Sequence, residues 1–337
     1  MRPFAYQRAA DAADAVTLAA GPTGPPTAAV AQFLAGGTTL VDLMRTGAMA
    51  PERLVDINDL AAAHGRIEAG ADGLRLGALV RMSQASRHPA VLRDYPAIAQ
   101  SLDLAASQQL RNMASLGGNV LQRTRCRYFR DPSWPACNKR APGSGCGALD
   151  GVNRMHAVLG VSEACIASYP GDFAQALIAL DASVEIVGPQ GPRVIAFEDL
   201  HRAPGATPHI ETTLAPGELI TGFHVPSGRW TRRSLYLKVR DRQSYEFALA
   251  SAAVALEFDG GAVRTARIAL GGVATRPWRA REAEAALVGK PLEMGAAQAA
   301  AEVAFAGAVT HGQNDFKPEL GRRTLVRALL AAGRLEV

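Results

Sequence analysis

Four cysteines, Cys126, Cys137, Cys146 and Cys165, are the residues of this 337-residue chain best suited to chemistry. Ten, eight and eighteen residues separate them, and the chain holds no other cysteine. Such confinement implies that the four thiols act together. Spacing alone leaves four readings open. Two disulfides would suit an oxidising compartment. A structural zinc takes four thiolates, although its ligands usually come in closer pairs. A [4Fe–4S] cluster needs four thiolates in space rather than in one short run. Buried unpaired thiols are the fourth reading. Arg123, Arg125, Arg127, Arg130, Lys139 and Arg140 surround the cysteines and would offset the negative charge of a thiolate-held cluster. Backbone N–H groups at Gly143, Gly145 and Gly147 are expected to donate to its sulfurs. His156 lies in the same segment and reads as a structural hydrogen-bonding group, because four cysteines suffice as ligands.

Two glycine turns form the second candidate constellation: Ala35-Gly36-Gly37-Thr38-Thr39-Leu40 and Ser115-Leu116-Gly117-Gly118-Asn119. Glycine allows positive φ and close backbone approach to a ligand, and the neighbouring hydroxyls donate to phosphate oxygens. Two such turns could clamp a pyrophosphate between them. Neither is the G-x-G-x-x-G of a Rossmann site, and a lone Gly-Gly is more often an ordinary turn.

These groups need elements to position them. Residues 21–27 (GPTGPPT) read as a loop, 28–35 as a short buried strand and 40–44 as a helix or extended segment. Residues 51–60 read as a strand ending in a turn, and 66–80 as a hairpin around Asp72-Gly73. Residues 9–20 and 95–114 have helical periodicity, the latter through Ile98, Leu102, Ala105, Ala106 and Leu110. Residues 123–165 look irregular. Strand patterns follow at 183–187, 218–225, 234–239, 248–258 and 263–273, then an alanine-rich helical tail over 279–335. A composition change at 226–230 marks the expected domain boundary.

The bulk properties exclude several classes. Net charge is +5, but the positive charges are scattered, without the basic runs interleaved with aromatics of a nucleic-acid surface. No apolar stretch is long enough to span a membrane. The seven histidines form no H-E-x-x-H pair, and no catalytic residue is assigned to this chain.

Together the segments resemble the FAD-binding subunits, or middle domains, of the xanthine oxidase family of molybdenum hydroxylases. FLAGGTTLVDLM at 33–44 resembles that family's first FAD loop, and ASLGGNV at 114–120 its second. PGDFAQALIALDA at 170–182, PGELITGFHVP at 216–226 and LYLKVRDRQSYEFALASAAVAL at 235–256 extend the likeness. The resemblance implies FAD contacts at Phe33, Leu34, Ala35, Gly36, Gly37, Thr38, Thr39, Leu40, Ala105, Ser115, Leu116, Gly117, Gly118, Asn119, Asp172, Ile220 and Lys238. Thr38-Thr39 stands where many relatives have Thr-Asp or Thr-Asn. The insertion at 123–167 resembles the [4Fe–4S] segment of periplasmic three-subunit aldehyde oxidoreductases, which implies that Cys126, Cys137, Cys146 and Cys165 are iron ligands.

The implied fold is α+β. A two-subdomain FAD-binding domain of the vanillyl-alcohol-oxidase (PCMH-like) type covers 1–228, followed by a smaller sheet-plus-helices domain over 229–337. The implied function is electron transfer. A partner subunit with a molybdenum cofactor oxidises an aldehyde with water to the carboxylic acid. Electrons then pass through [2Fe–2S] clusters on a small subunit to this FAD, and on to an external acceptor. The alternatives are the flavin subunit of a hydroxybenzoyl-CoA-reductase-like enzyme, and a self-contained FAD oxidase. The first residues carry neither a twin-arginine motif nor an apolar h-region. The expected location is therefore the periplasm, reached by export docked on a signal-bearing partner, with the cytoplasm as the alternative.

Overall fold

The computed structural model describes residues 1–21 and 26–337. The loop expected at 21–27 thus falls largely outside the described residues. In the N-terminal part, strands Ala5–Arg8 and Ala31–Leu34 flank Arg53–Asp56 in a parallel three-stranded sheet. Parallel pairing requires crossovers, supplied by helix Ala12–Ala19 and helix Leu40–Thr46. The first helix starts at Asp11, whose carboxylate accepts from the Asp14 N–H, and buries Ala15, Val16 and Ala19. The strand expected at 28–35 is shorter and only half-buried, because it lies at the sheet edge and borders a cavity.

A second, antiparallel sheet has the order Ile67–Gly70, Gly73–Gly77, Leu219–Pro226, Ser183–Gly188 and Gly191–Ala196. The hairpin pairs Gly70 with Gly73, as the Asp-Gly turn predicts. Helices Met82–Arg87, Pro96–Asp103 and Phe173–Ala179 bury Met82, Ile98, Leu102, Phe173 and Leu177 in one core with Leu74, Leu76, Val184 and Phe223 of this sheet. The helical region expected over 95–114 consists of two helices, Pro96–Asp103 and Gln108–Met113. Ala106 between them has φ +49, a left-handed residue that ends the first helix, while Ser107 caps the second.

Strands Ser234–Val239, Ala250–Asp259, Ala262–Gly271 and Trp278–Arg279 form a third sheet. The tail folds as helices Arg281–Leu287, Met294–Ala304 and Lys317–Gly333, whose small side chains pack tightly on Ala252, Val254 and Ile268. The insertion runs mostly without regular structure and is tied to this C-terminal part. Val158 and Leu159 donate to the Val273 carbonyl, and Lys317 Nζ donates to the Met155 and Gly272 carbonyls.

Candidate functional site

A cavity of about 650 Å³ lies between the three-stranded sheet, the five-stranded sheet and the insertion. Its lining includes Phe33, Ala35, Gly36, Gly37, Thr38, Thr39 and Leu40 from the first turn, Ser115, Gly117 and Gly118 from the second, and Ile220. Gly37 has φ +71, where a β-carbon would be strained and would meet Val41 and Leu34 at 3.2 and 3.3 Å. Among the described residues, the N–H groups of Gly36, Gly37, Thr38 and Thr39 have no acceptor within the protein. Consecutive unengaged N–H groups around a left-handed residue suit an anionic oxygen.

The second turn is built differently. Ser115 is the N-cap of the short helix Leu116–Val120, its hydroxyl accepting from the Gly118 N–H at 3.2 Å. Leu116 and Gly117 donate to the carbonyls of Val80 and Ala78, so their N–H groups are engaged within the protein. The two turns touch at Gly36, where a β-carbon would stand 2.0 Å from the Met113 carbonyl oxygen. Two polar side chains lock them together. Arg81 donates to the Met113 carbonyl (2.6 Å) and to Asn58 Oδ1 (3.0 Å), and Asn58 Nδ2 donates to the Ala35 carbonyl (3.0 Å). Neither residue stands out in the sequence, because their importance is relational.

Other expected contacts lie off this cavity. Leu116 is fully buried in the core, and Asn119 Nδ2 faces Met82 Sδ. Leu34 and Ala105 do not line the cavity. Asp172 and Lys238, expected beside the flavin, pair with each other at 2.8 Å, with side chains 5% and 1% exposed. Tyr236 donates its hydroxyl to Asp172 (2.5 Å), and Lys238 also donates to the Leu104 carbonyl (3.1 Å). A buried carboxylate requires this neutralisation, so both charges are committed to each other in this structure.

All four cysteines are free thiols, Cys137 and Cys165 buried, the others half-buried. No disulfide joins them. Cys137 and Cys146 pair as neighbours in an isolated β-bridge. The neighbouring Cys165 thiol lowers the pKa of Cys146 to about 6, whereas burial pushes that of Cys126 up to about 11. His156 Nε2 lies 3.2 Å from Cys126 Sγ, a hydrogen-bonding position, and burial lowers its pKa to about 4. Among the described residues, no three His, Cys, Asp or Glu side chains are grouped to hold a single metal ion.

Two expectations about the surroundings need correction. Gly145 and Gly147 do not point their N–H groups at sulfur; they donate to Asn138 Oδ1 and the Ala136 carbonyl, closing the loop on itself. The Ala167 N–H donates to Cys165 Sγ at 3.4 Å instead, while the Phe129 and Leu149 N–H groups go to the carbonyls of Cys126 and Cys146. The basic residues are also largely engaged. Arg125 and Arg130 pair with Asp42 on the helix after the first turn, and Arg140 donates to the carbonyls of Tyr128, Phe129 and Trp134.

Comparison with known proteins decides the family. Residues 2–228 match the FAD binding domain in molybdopterin dehydrogenase, and 235–332 the CO dehydrogenase flavoprotein C-terminal domain. The chain is 47% identical to the aldehyde oxidoreductase FAD-binding subunit PaoB of Escherichia coli over 98% of this chain and 99% of that protein. The chain belongs to the FAD-binding subunits of the xanthine oxidase family of molybdenum hydroxylases. It is 29% identical to the carbon monoxide dehydrogenase medium chain of Afipia carboxidovorans, covering 99% and 96% of the two chains. A reconstituted CO dehydrogenase from Oligotropha carboxidovorans superposes with TM-score 0.74 at 26% identity, covering 99% of each chain. As a medium subunit of this family, the chain is part of a multi-subunit oxidoreductase. The α+β architecture is the family's, and no described helix is long and apolar enough to cross a membrane.

For an FAD-binding subunit the cavity also holds groups that sequence reasoning missed. The Val120 carbonyl accepts from both the Tyr169 hydroxyl (2.8 Å) and His201 Nε2 (2.9 Å). Nε2 therefore carries the proton and Nδ1 is bare. Burial lowers the His201 pKa to about 4, which keeps this cavity-lining imidazole neutral. Arg123, Lys139 and Glu211 line the same cavity as an ionic triad, and so does Cys165. Glu211 is 88 residues from Arg123, and no local pattern announces the pairing.

Proposed function

We propose that this chain is the FAD- and [4Fe–4S]-carrying electron-transfer subunit of a molybdenum-dependent aldehyde oxidoreductase. The observation that carries this reading is one wall shared by two sites: Cys165 of the four-thiol segment lines the cavity formed by the glycine turns. The relative named as an aldehyde oxidoreductase subunit supports the substrate class. The domain division proposed is 1–228 and 229–337.

The residues fit both groups. Gly36, Gly37, Thr38 and Thr39 would hold the FAD pyrophosphate with unengaged N–H groups and hydroxyls, while Ser115, Gly117 and Gly118 of the adjoining turn line the same cavity. Among the described residues no three His, Cys, Asp or Glu side chains are grouped to hold a single metal ion, which weighs against zinc, and four free thiols in one segment are the ligand set a four-iron cluster takes. When bound, these groups supply two-electron and one-electron carriers. The chain's own residues bind, orient and shield them. The Arg81–Asn58 bridge holds the two turns in register, His201 and Tyr169 wall the cavity, and the Ala167 N–H faces the Cys165 sulfur.

The proposed partners are a molybdenum-cofactor large subunit and a small [2Fe–2S] subunit, with the complex in the periplasm. Iron, acid-labile sulfide and FAD assayed on the purified complex test the reading. Cys137→Ser and Cys146→Ser should each lose iron and sulfide while keeping FAD. Iron at the wild-type level in both variants would refute the ligand assignment. Cell fractionation that finds the active complex only in the cytoplasm would refute the location.

A further inference from the structure

We propose that Arg123, Glu211 and Lys139 form an electrostatic partition between the flavin cavity and the four-thiol pocket, and that its excess positive charge raises the reduction potential of the iron–sulfur centre. This rests on the cluster assignment above. The partition is geometric first. All three residues line the glycine-turn cavity, as does Cys165. Arg123 and Lys139 are 7% and 9% exposed. Glu211 joins them: Arg123 Nε donates to Oε2, and Lys139 Nζ donates to Oε1 at 3.0 Å. Lys139 also donates to the Pro208 carbonyl at 2.9 Å, which fixes its ammonium group.

The other face of the triad meets the cysteines. The Arg123 guanidinium lies 4.5 Å over the Phe129 ring, and Phe129 packs in one cluster with Cys137 and Cys126. Lys139 follows Cys137 by two residues and shares the cavity wall with Cys165. Burial opposes ionisation of Glu211, but Arg123 and Lys139 outweigh it and hold its carboxyl below the usual range. The triad is therefore two cations around one anion, a net charge of +1. Among the other basic residues of the segment, Arg125 and Arg130 share Asp42 as their counter-ion. Both terminal nitrogens of Arg123 are buried without a hydrogen-bond partner among the described residues, so its charge is only partly compensated. Interactions across such a buried wall are weakly screened, and a nearby positive charge favours the more negative, reduced state of an electron carrier.

The test is a redox titration of the cluster in the intact complex, followed by electron paramagnetic resonance, with iron and sulfide assayed on each sample. Lys139→Met should move the midpoint potential down, Glu211→Gln should move it up, and Lys139→Arg should leave it near wild type. Opposite shifts from two near-isosteric variants are not what a merely structural role produces. Unchanged potentials, or shifts of one sign in the Met and Gln variants at full iron content, would overturn the partition while leaving the cluster assignment standing. A wild-type complex with no iron beyond that of its [2Fe–2S] clusters would remove both.

Discussion

The two glycine turns look alike as sequence and are opposites as structure. In the first, Gly37 takes a left-handed conformation, and the N–H groups around it have no acceptor among the described residues. In the second, Gly117 donates to Ala78 and Gly118 to the Ser115 hydroxyl, so the backbone is engaged before any ligand arrives. The first is a cradle and the second a buttress. Gly117 is needed because its chain passes the Ala78 backbone closely, where an added β-carbon would lie 3.0 Å from Ala78 Cβ. A Gly-Gly pair thus reports a close approach without saying whether the neighbour is a cofactor or another strand.

That contrast can be broken most forcefully at the contact between the turns. Gly36→Ala puts a β-carbon 2.0 Å from the Met113 carbonyl oxygen, with backbone on both sides and nothing flexible to yield. Overpacking of this kind costs about 3 kcal/mol, so FAD affinity should fall on the order of 100-fold. Titration of the cofactor-stripped protein with FAD would show it, and wild-type affinity would mean that the turns need not touch.

Arg81→Met should come next. It removes the donors to Met113 and Asn58 that join the turns, a loss of about 1–2 kcal/mol. A lower melting temperature and roughly tenfold weaker FAD binding are expected. Asn58→Ala should mimic it, and the double variant should be less than additive, because both break the same bridge.

Gly37→Ala should cost about 1–2 kcal/mol for the left-handed backbone and weaken FAD by about 5- to 30-fold. Gly118→Ala should do least. It sits at a helical position, its β-carbon would meet only the Ser115 hydroxyl at 3.0 Å, and alanine's helix propensity offsets part of the crowding. Less than a threefold change in FAD affinity is expected. Equal losses at Gly37 and Gly118 would erase the distinction between cradle and buttress.

Much of this molecule was legible locally. Asp72-Gly73 announced its hairpin, and the patterns at 183–187 and 218–225 their strands, because these signals are carried by neighbouring residues. The helical region expected over 95–114 divides around Ala106, whose left-handed backbone no alanine pattern predicts. Confinement of the four cysteines to one segment pointed to joint action, but their spacing left zinc, disulfide, cluster and unpaired-thiol readings open. In the fold they are four free thiols, and Ala167 donates its N–H to Cys165 where Gly145 and Gly147 turn theirs to Asn138 and Ala136.

By itself, the sequence determined the elements, the family likeness and which residue types were available for chemistry, since these depend on local pattern. Tertiary structure alone decided their partners. Glu211 meets Arg123 across 88 residues, Asn58 and Arg81 tie turns that are themselves far apart in the chain, and Asp172 closes on Lys238 across 66. The physical reason is that buried charges and orphaned backbone groups must find partners wherever the packed core brings them, and sequence distance places no limit on that.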